Sequence, residues 1–124
     1  MEKAKLLNPL TLAFMGDSVY EVLVRQRVIE EMGSMSPKKL HNLTVERVKA
    51  SYQAAGYEKI KDMLSEEETE IYKRGRNSSS VTVPKSASIG EYRGATGLEA
   101  LFGYLYLCKS FDRLKELFEV IWRN

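Results

Sequence analysis

The chain has 124 residues, 44% of them hydrophobic, with 19 Lys and Arg against 17 Asp and Glu. That is the size of one domain with a single core, so residues 1–124 are read as one domain, and a net charge of +2 does not by itself announce a nucleic-acid partner. No window approaches the roughly 18 apolar residues of a membrane span, Met1-Glu2-Lys3-Ala4-Lys5 leads into no signal-peptide core, and the one cysteine, Cys108, makes no internal disulfide. A soluble protein of a reducing, cytoplasmic compartment is expected, with no membrane partner. The single histidine, His41, excludes a zinc site of the His/Cys kind and leaves little room for a Ser-His-Asp triad, so catalysis would rest on carboxylates.

Asn8-Pro9 is a helix start, a capping side chain followed by Pro at the first helical position, and predicts a helix from Pro9 to Met32 that ends at Gly33. From Leu10 to Val24 its only charged residues are Asp17 and Glu21, one turn apart on a face otherwise made of large apolar groups. That face is expected in the core, where ionised carboxylates require a positive partner. Ser36-Pro37 opens a short helix through Leu40 and Leu43, followed by a longer one carrying Val45, Val48, Tyr52 and Ala55, with Gly56 as a candidate break. Ser65-Glu66-Glu67-Glu68 is a capping box, which makes the acidic triplet a helix start rather than a metal site. This helix turns Ile71 and Tyr72 inward and ends near Lys73-Arg74-Gly75-Arg76.

The stretch from Asn77 to Ser88 has no helical period and reads as a long loop. Helix is expected again from Ile89 to Lys109, with Glu99 its only charge between Gly94 and Cys108, with Tyr104 to Leu107 in the core or, as the alternative, at a subunit contact, and with Cys108 in the core. A last helix, capped by Ser110 or Asp112, carries Leu114, Leu117, Phe118, Ile121 and Trp122 at helical spacing. No stretch alternates over a strand's length. The fold class is all-α, a compact bundle of about six or seven helices.

The two apolar segments around Asp17 and Glu99 each hold an isolated acid among small residues that allow close helix approach. Carboxylates converging without a matching Lys or Arg describe a site for a hard divalent cation, Mg²⁺ or Mn²⁺. The alternative is that each acid is half-exposed at a helix edge. Between Ile71 and Leu98, Lys73, Arg74, Arg76, Lys85 and Arg93 face Glu91 alone, a local excess of positive charge.

Phe14-Met15-Gly16-Asp17-Ser18-Val19 with Glu21 resembles the signature helix of the ribonuclease III family, and Leu98 to Leu107 resembles its second acidic helix. The likeness is greatest to the short bacterial branch, mini-ribonuclease III, through Lys73 to Asn77, Thr82-Val83-Pro84-Lys85, and Tyr92-Arg93 leading into Ala95-Thr96-Gly97-Leu98-Glu99. The resemblance implies the family's helical endonuclease domain and an Mg²⁺-dependent endoribonuclease, with Mn²⁺ as a substitute, that cuts double-stranded RNA as a homodimer. The implied task is maturation of the large-subunit (23S) ribosomal RNA precursor. Asp17 and Glu99 carry over as the catalytic, metal-holding acids, and Glu21 as a further metal ligand whose role stays open. Two acids usual in the longer enzymes are replaced by Ala13 and Thr96.

No double-stranded-RNA-binding domain is expected after the helical one. Grip on RNA would come from Lys73, Arg74, Arg76, Lys85 and Arg93 with Ser78 to Ser80, since duplex RNA is read mainly through phosphates and 2′-hydroxyls; the alternative is that Lys73 and Arg74 only finish a helix and the others are solvated. Lys38, Lys39, Arg47 and Lys49 either extend that surface or are ordinary solvated positions. A ribosomal protein that presents the substrate is left open. Two other readings stand beside the nuclease: a non-catalytic helical RNA-binding or ribosome-assembly factor on a nuclease-like scaffold, and a structural dimeric adaptor.

Overall fold

A computed structural model describes residues 3–79 and 88–123. Short 3₁₀ turns at Ala4–Leu6 and Lys61–Met63 accompany six helices: α1 (Pro9–Met32), α2 (Pro37–Val48), α3 (Ala50–Ile60), α4 (Glu66–Asn77), α5 (Ile89–Leu107) and α6 (Phe111–Trp122). The described residues contain no strand, and the all-α reading holds.

The helix ends follow their caps. Asn8 Oδ1 accepts from Leu10 N–H at 2.8 Å with Pro9 at the first position, and Gly33, at φ 69°, closes α1. Ser65 Oγ accepts from Glu68 N–H at 3.1 Å while Glu68 returns a carboxylate to Ser65 N–H at 2.9 Å. Glu68 is also gripped by both Arg113 Nε and Nη2 at 2.9 Å, and that guanidinium holds its carboxyl below the usual carboxylate range. The triplet is a helix start that also ties α4 to α6.

Three boundaries differ from the sequence reading. The break expected after Leu43 falls at Lys49, whose extended backbone (ψ 156°) separates α2 from α3. The β-branched Thr44-Val45 pair stays helical, with Thr44 buried and its hydroxyl donating to Leu40 O at 2.9 Å within the same helix. Gly56 continues its helix, and a Cβ there would lie 2.8 Å from Ile121 Cγ2, so the position serves the contact with α6. At the end of α5, Leu107 replaces the expected Lys109, which adopts φ 59° in the turn to α6.

The bundle is built around α5, which packs on α1, α3, α4 and α6. From Gly94 to Leu105 every residue of α5 is buried except Glu99, which is half-buried. The closest packing is against α1 and uses one glycine from each helix. A Cβ on Gly16 would lie 2.9 Å from Glu99 Cα and nearer still to its carbonyl oxygen. One on Gly103 would lie 2.9 Å from Gly16 N and nearer still to Leu12 O. Backbone therefore rests on backbone at this crossing.

The core face of α1 is Leu12, Ala13, Gly16, Val19, Tyr20, Val24 and Val28. This corrects the expectation that the Asp17 face is core: Asp17 is exposed, as are Leu10, Val22 and Phe14, the last at 81%. Both faces of this helix are rich in apolar groups, so their pattern did not mark which one turns inward. Tyr104 is in the core, whereas Tyr106 is exposed edge-on to Phe111 and Cys108 is half-buried.

Candidate active site

The crossing of α1 and α5 brings two of the expected acids together. Asp17 follows Gly16, the residue that lies on the Glu99 backbone, and its carboxylate is within hydrogen-bonding reach of the Glu99 carboxylate. No Lys or Arg pairs with either acid among the described residues. Glu99 instead accepts from Gln53 Nε2 of α3 at 3.3 Å, and that nitrogen also donates to Val48 O at 2.9 Å. Glu21 lies on the same α1 face but pairs with Arg25 Nε at 3.3 Å. No group of three or more His, Cys, Asp or Glu side chains forms a metal-ligand cluster among the described residues.

Ala13 and Thr96, one turn before the two acids, are both buried. The Thr96 hydroxyl donates to Tyr92 O at 3.1 Å, so it is already engaged within its own helix. The oxygen donors at the crossing are thus the two carboxylates. This donor set fits Mg²⁺, which is commonly held by one or two carboxylates and completes its shell with water and substrate phosphate.

Burial, and after it the charge of Asp17, push the Glu99 carboxyl up to about 8, against a smaller downward pull from the Gln53 N–H. The ordinary value is 4.5, so between about 4.5 and about 8 the folded chain binds one proton more than the unfolded chain. Stability of the metal-free protein is therefore expected to fall as pH rises through that window. Glu99→Gln, which cannot titrate, should flatten the slope. Thermal melts in chelator at about pH 6 and about pH 8.5 check this, and parallel behaviour of the two proteins would refute it.

Of the expected RNA contacts, Lys73, Arg76 and Arg93 are exposed. Arg76 and Arg93 line one cavity with Asn77, Tyr57 and Tyr72, whose rings stack at 3.6 Å. Arg74 differs: it is half-buried and donates to Lys5 O at 2.7 Å and Leu7 O at 3.2 Å, fastening the start of the chain to α4. Lys85 lies outside the described residues, as does most of the expected Asn77 to Ser88 loop. Lys38 and Lys39 are exposed on α2, whereas Arg47 lies over the Trp122 ring and donates to Tyr52 Oη, and Lys49 pairs with Glu46.

Gln53 is absent from the sequence reading of the site. The available signal was a polar residue at helical spacing from Gly56 and Ile60, hence on the inward face of α3.

Comparison with known proteins bears on these same residues. The ribonuclease III domain family matches residues 10–110. A mini-ribonuclease 3 of a Thermoanaerobacter species is 47% identical over 114 residues, covering 92% of this chain and 80% of that one. The mini-ribonuclease 3 of Staphylococcus aureus is 41% identical over 119 residues, covering 94% and 88%. A crystal structure of a Fusobacterium nucleatum protein matches with a TM-score of 0.86 at 33% identity over 94% of both chains. The matched span contains Asp17, Glu99 and the helices that cross between them, and the chain belongs to the ribonuclease III family, in its mini-ribonuclease 3 branch.

Proposed function

We propose that the protein is a divalent-metal-dependent endoribonuclease that cuts double-stranded RNA, with Mg²⁺ as its metal. The observation that carries this reading is the meeting of Asp17 and Glu99 at the α1–α5 crossing without a cationic side chain among the described residues to neutralise them. A cation held there would activate water for attack on phosphorus and neutralise charge on the leaving oxygen. Asp17, exposed, is the acid that an RNA backbone can approach. Glu99, half-buried and held by Gln53, is the more constrained of the pair and gives up its proton when it binds a cation. Glu21 joins them only by leaving Arg25.

Lys73, Arg76 and Arg93, with Lys85, supply the phosphate contacts that fix the duplex against the acids. The ribosomal substrate, the 23S precursor, is proposed on membership of the mini-ribonuclease 3 branch. Incubating the protein with duplex and single-stranded RNA, with Mg²⁺ or chelator, tests the activity directly. Cutting of duplex alone, and only with Mg²⁺, is expected. Duplex bound without product would favour the non-catalytic RNA-binding factor, a reading to which the buried Ala13 and Thr96 lend some weight.

We also propose that the protein acts as a homodimer through the outward face of α1. Leu10, Phe14 and Val22 are exposed there, next to an apolar groove of about 240 Å³ lined by Met15, Val19, Val22, Leu23, Phe111 and Leu114. Several exposed apolar side chains on one helix beside an apolar groove, with Phe14 81% exposed among them, are the mark of an interaction site. Phe14 and Asp17 are neighbours on α1, so this self-association face lies beside the acid pair. Phe14→Glu is expected to convert the dimer to a folded monomer, seen as a halved mass in sedimentation equilibrium. An unchanged mass would place the interface elsewhere.

A further inference from the structure

We infer that Gln53 is a positioning residue for metal binding: its amide N–H holds the Glu99 carboxylate in place beside Asp17. The inference rests on the metal-dependent reading above and adds a residue from a third helix to the site.

Gln53 is 3% exposed. Its Nε2 has two acceptors, Val48 O at 2.9 Å and Glu99 Oε2 at 3.3 Å, which fixes the orientation of the amide. One nitrogen thus links the end of α2 to the acid on α5. Its Oε1 has no partner and is one of two buried side-chain polar atoms in that condition among the described residues, the other being Tyr20 Oη. A leucine or methionine would fill a similar space and orphan no oxygen. Packing alone is therefore poorly served by an amide here, and what the amide adds is a donor shared between Val48 O and Glu99.

A donor suits that place for a chemical reason. Glu99 must be ionised to hold a cation, and the neighbouring Asp17 repels its charge. An N–H of Gln53 is neutral, so it stabilises the ionised carboxylate without offsetting the negative charge that attracts the cation. Lys or Arg in its place would compete with the metal. Donors behind the ligands of a metal site commonly change affinity by about 10- to 100-fold when removed.

The test is Mn²⁺ binding to the purified protein without RNA, counting free Mn²⁺ by electron paramagnetic resonance. Gln53→Met is expected to weaken Mn²⁺ binding about tenfold or more. Its far-UV circular dichroism and its affinity for duplex RNA in chelator should match the wild type. Gln53→Leu is the second variant, used if the methionine variant does not fold. Wild-type Mn²⁺ affinity in the folded variants would overturn the inference and leave Gln53 as a brace for the α2–α3 joint, visible only as a lower melting temperature. Asp17→Asn run alongside separates the two failures. If that variant and the wild type bind Mn²⁺ equally, the metal reading of the acid pair falls and the Gln53 inference falls with it.

Discussion

Asp17→Asn is expected to leave the fold intact and to lower duplex cleavage by about 10³-fold or more, the loss of roughly 4 kcal/mol of transition-state stabilisation. Asp17 is exposed and its side chain is not part of the core, so the isosteric amide disturbs no packing. What it removes is charge. The α1–α5 crossing brings together two carboxylates, and Ala13 and Thr96 add no carboxylate beside them, so under the proposed function Asp17 would supply one of the two acids that hold the cation. Product lengths on a gel and duplex affinity in chelator are the two readouts. Cleavage should vanish while affinity stays, because the proposed phosphate contacts Lys73, Arg76 and Arg93 lie on α4 and α5, away from the substituted side chain. Cleavage at the wild-type rate would remove Asp17 from the mechanism.

The second large effect is expected from a methyl group. Gly16→Ala puts a Cβ 2.9 Å from Glu99 Cα and nearer still to the Glu99 carbonyl, and neither is the end of a flexible side chain that could move aside. The helices must separate or slide. The cost should reach the upper end of overpacking, about 3 kcal/mol, and lower the melting temperature by roughly 10 °C. Because the obstructed atoms belong to Glu99 itself, the same substitution should also spread the two acids and weaken Mn²⁺ binding in whatever protein remains folded. Gly90→Ala is the control: a Cβ there meets nothing within 4 Å, and the backbone is helical. It should change the melting temperature by little. Equal behaviour of the two variants would mean that the α1–α5 crossing is looser than its geometry indicates.

Much of the architecture was legible in the sequence because helix ends are written locally. Asn8-Pro9, Ser36-Pro37 and Ser65 to Glu68 fixed three starts through side chains within reach of their own backbone. The meeting of Asp17 and Glu99 was also legible, from two isolated acids in apolar segments with small neighbours. What failed depended on tertiary contacts. Lys49 carries no distinctive break signal, and Thr44 hides its hydroxyl by bonding backward. The direction of α1 was misread because Phe14 and Val22 are as apolar as Leu12 and Val19, and a helix with two apolar faces does not say which is inside. Arg74 looked like its neighbours Lys73 and Arg76 until its carbonyl partners, nearly seventy residues earlier in the chain, were in place. Gln53 belongs to the same class: its importance lies in the distance to Glu99, which no local pattern encodes.

The placement of Glu99 on α5 has a consequence for how the protein fails. A helix walled in by four others has no frayed end near its middle, so the acid cannot swing out through a local opening. Amide protons from Gly94 to Leu105 should exchange only when the whole chain opens. Within one chain, the Glu99 site and the fold are then expected to be lost at one temperature, with no state in which α5 stays folded and the acid is displaced.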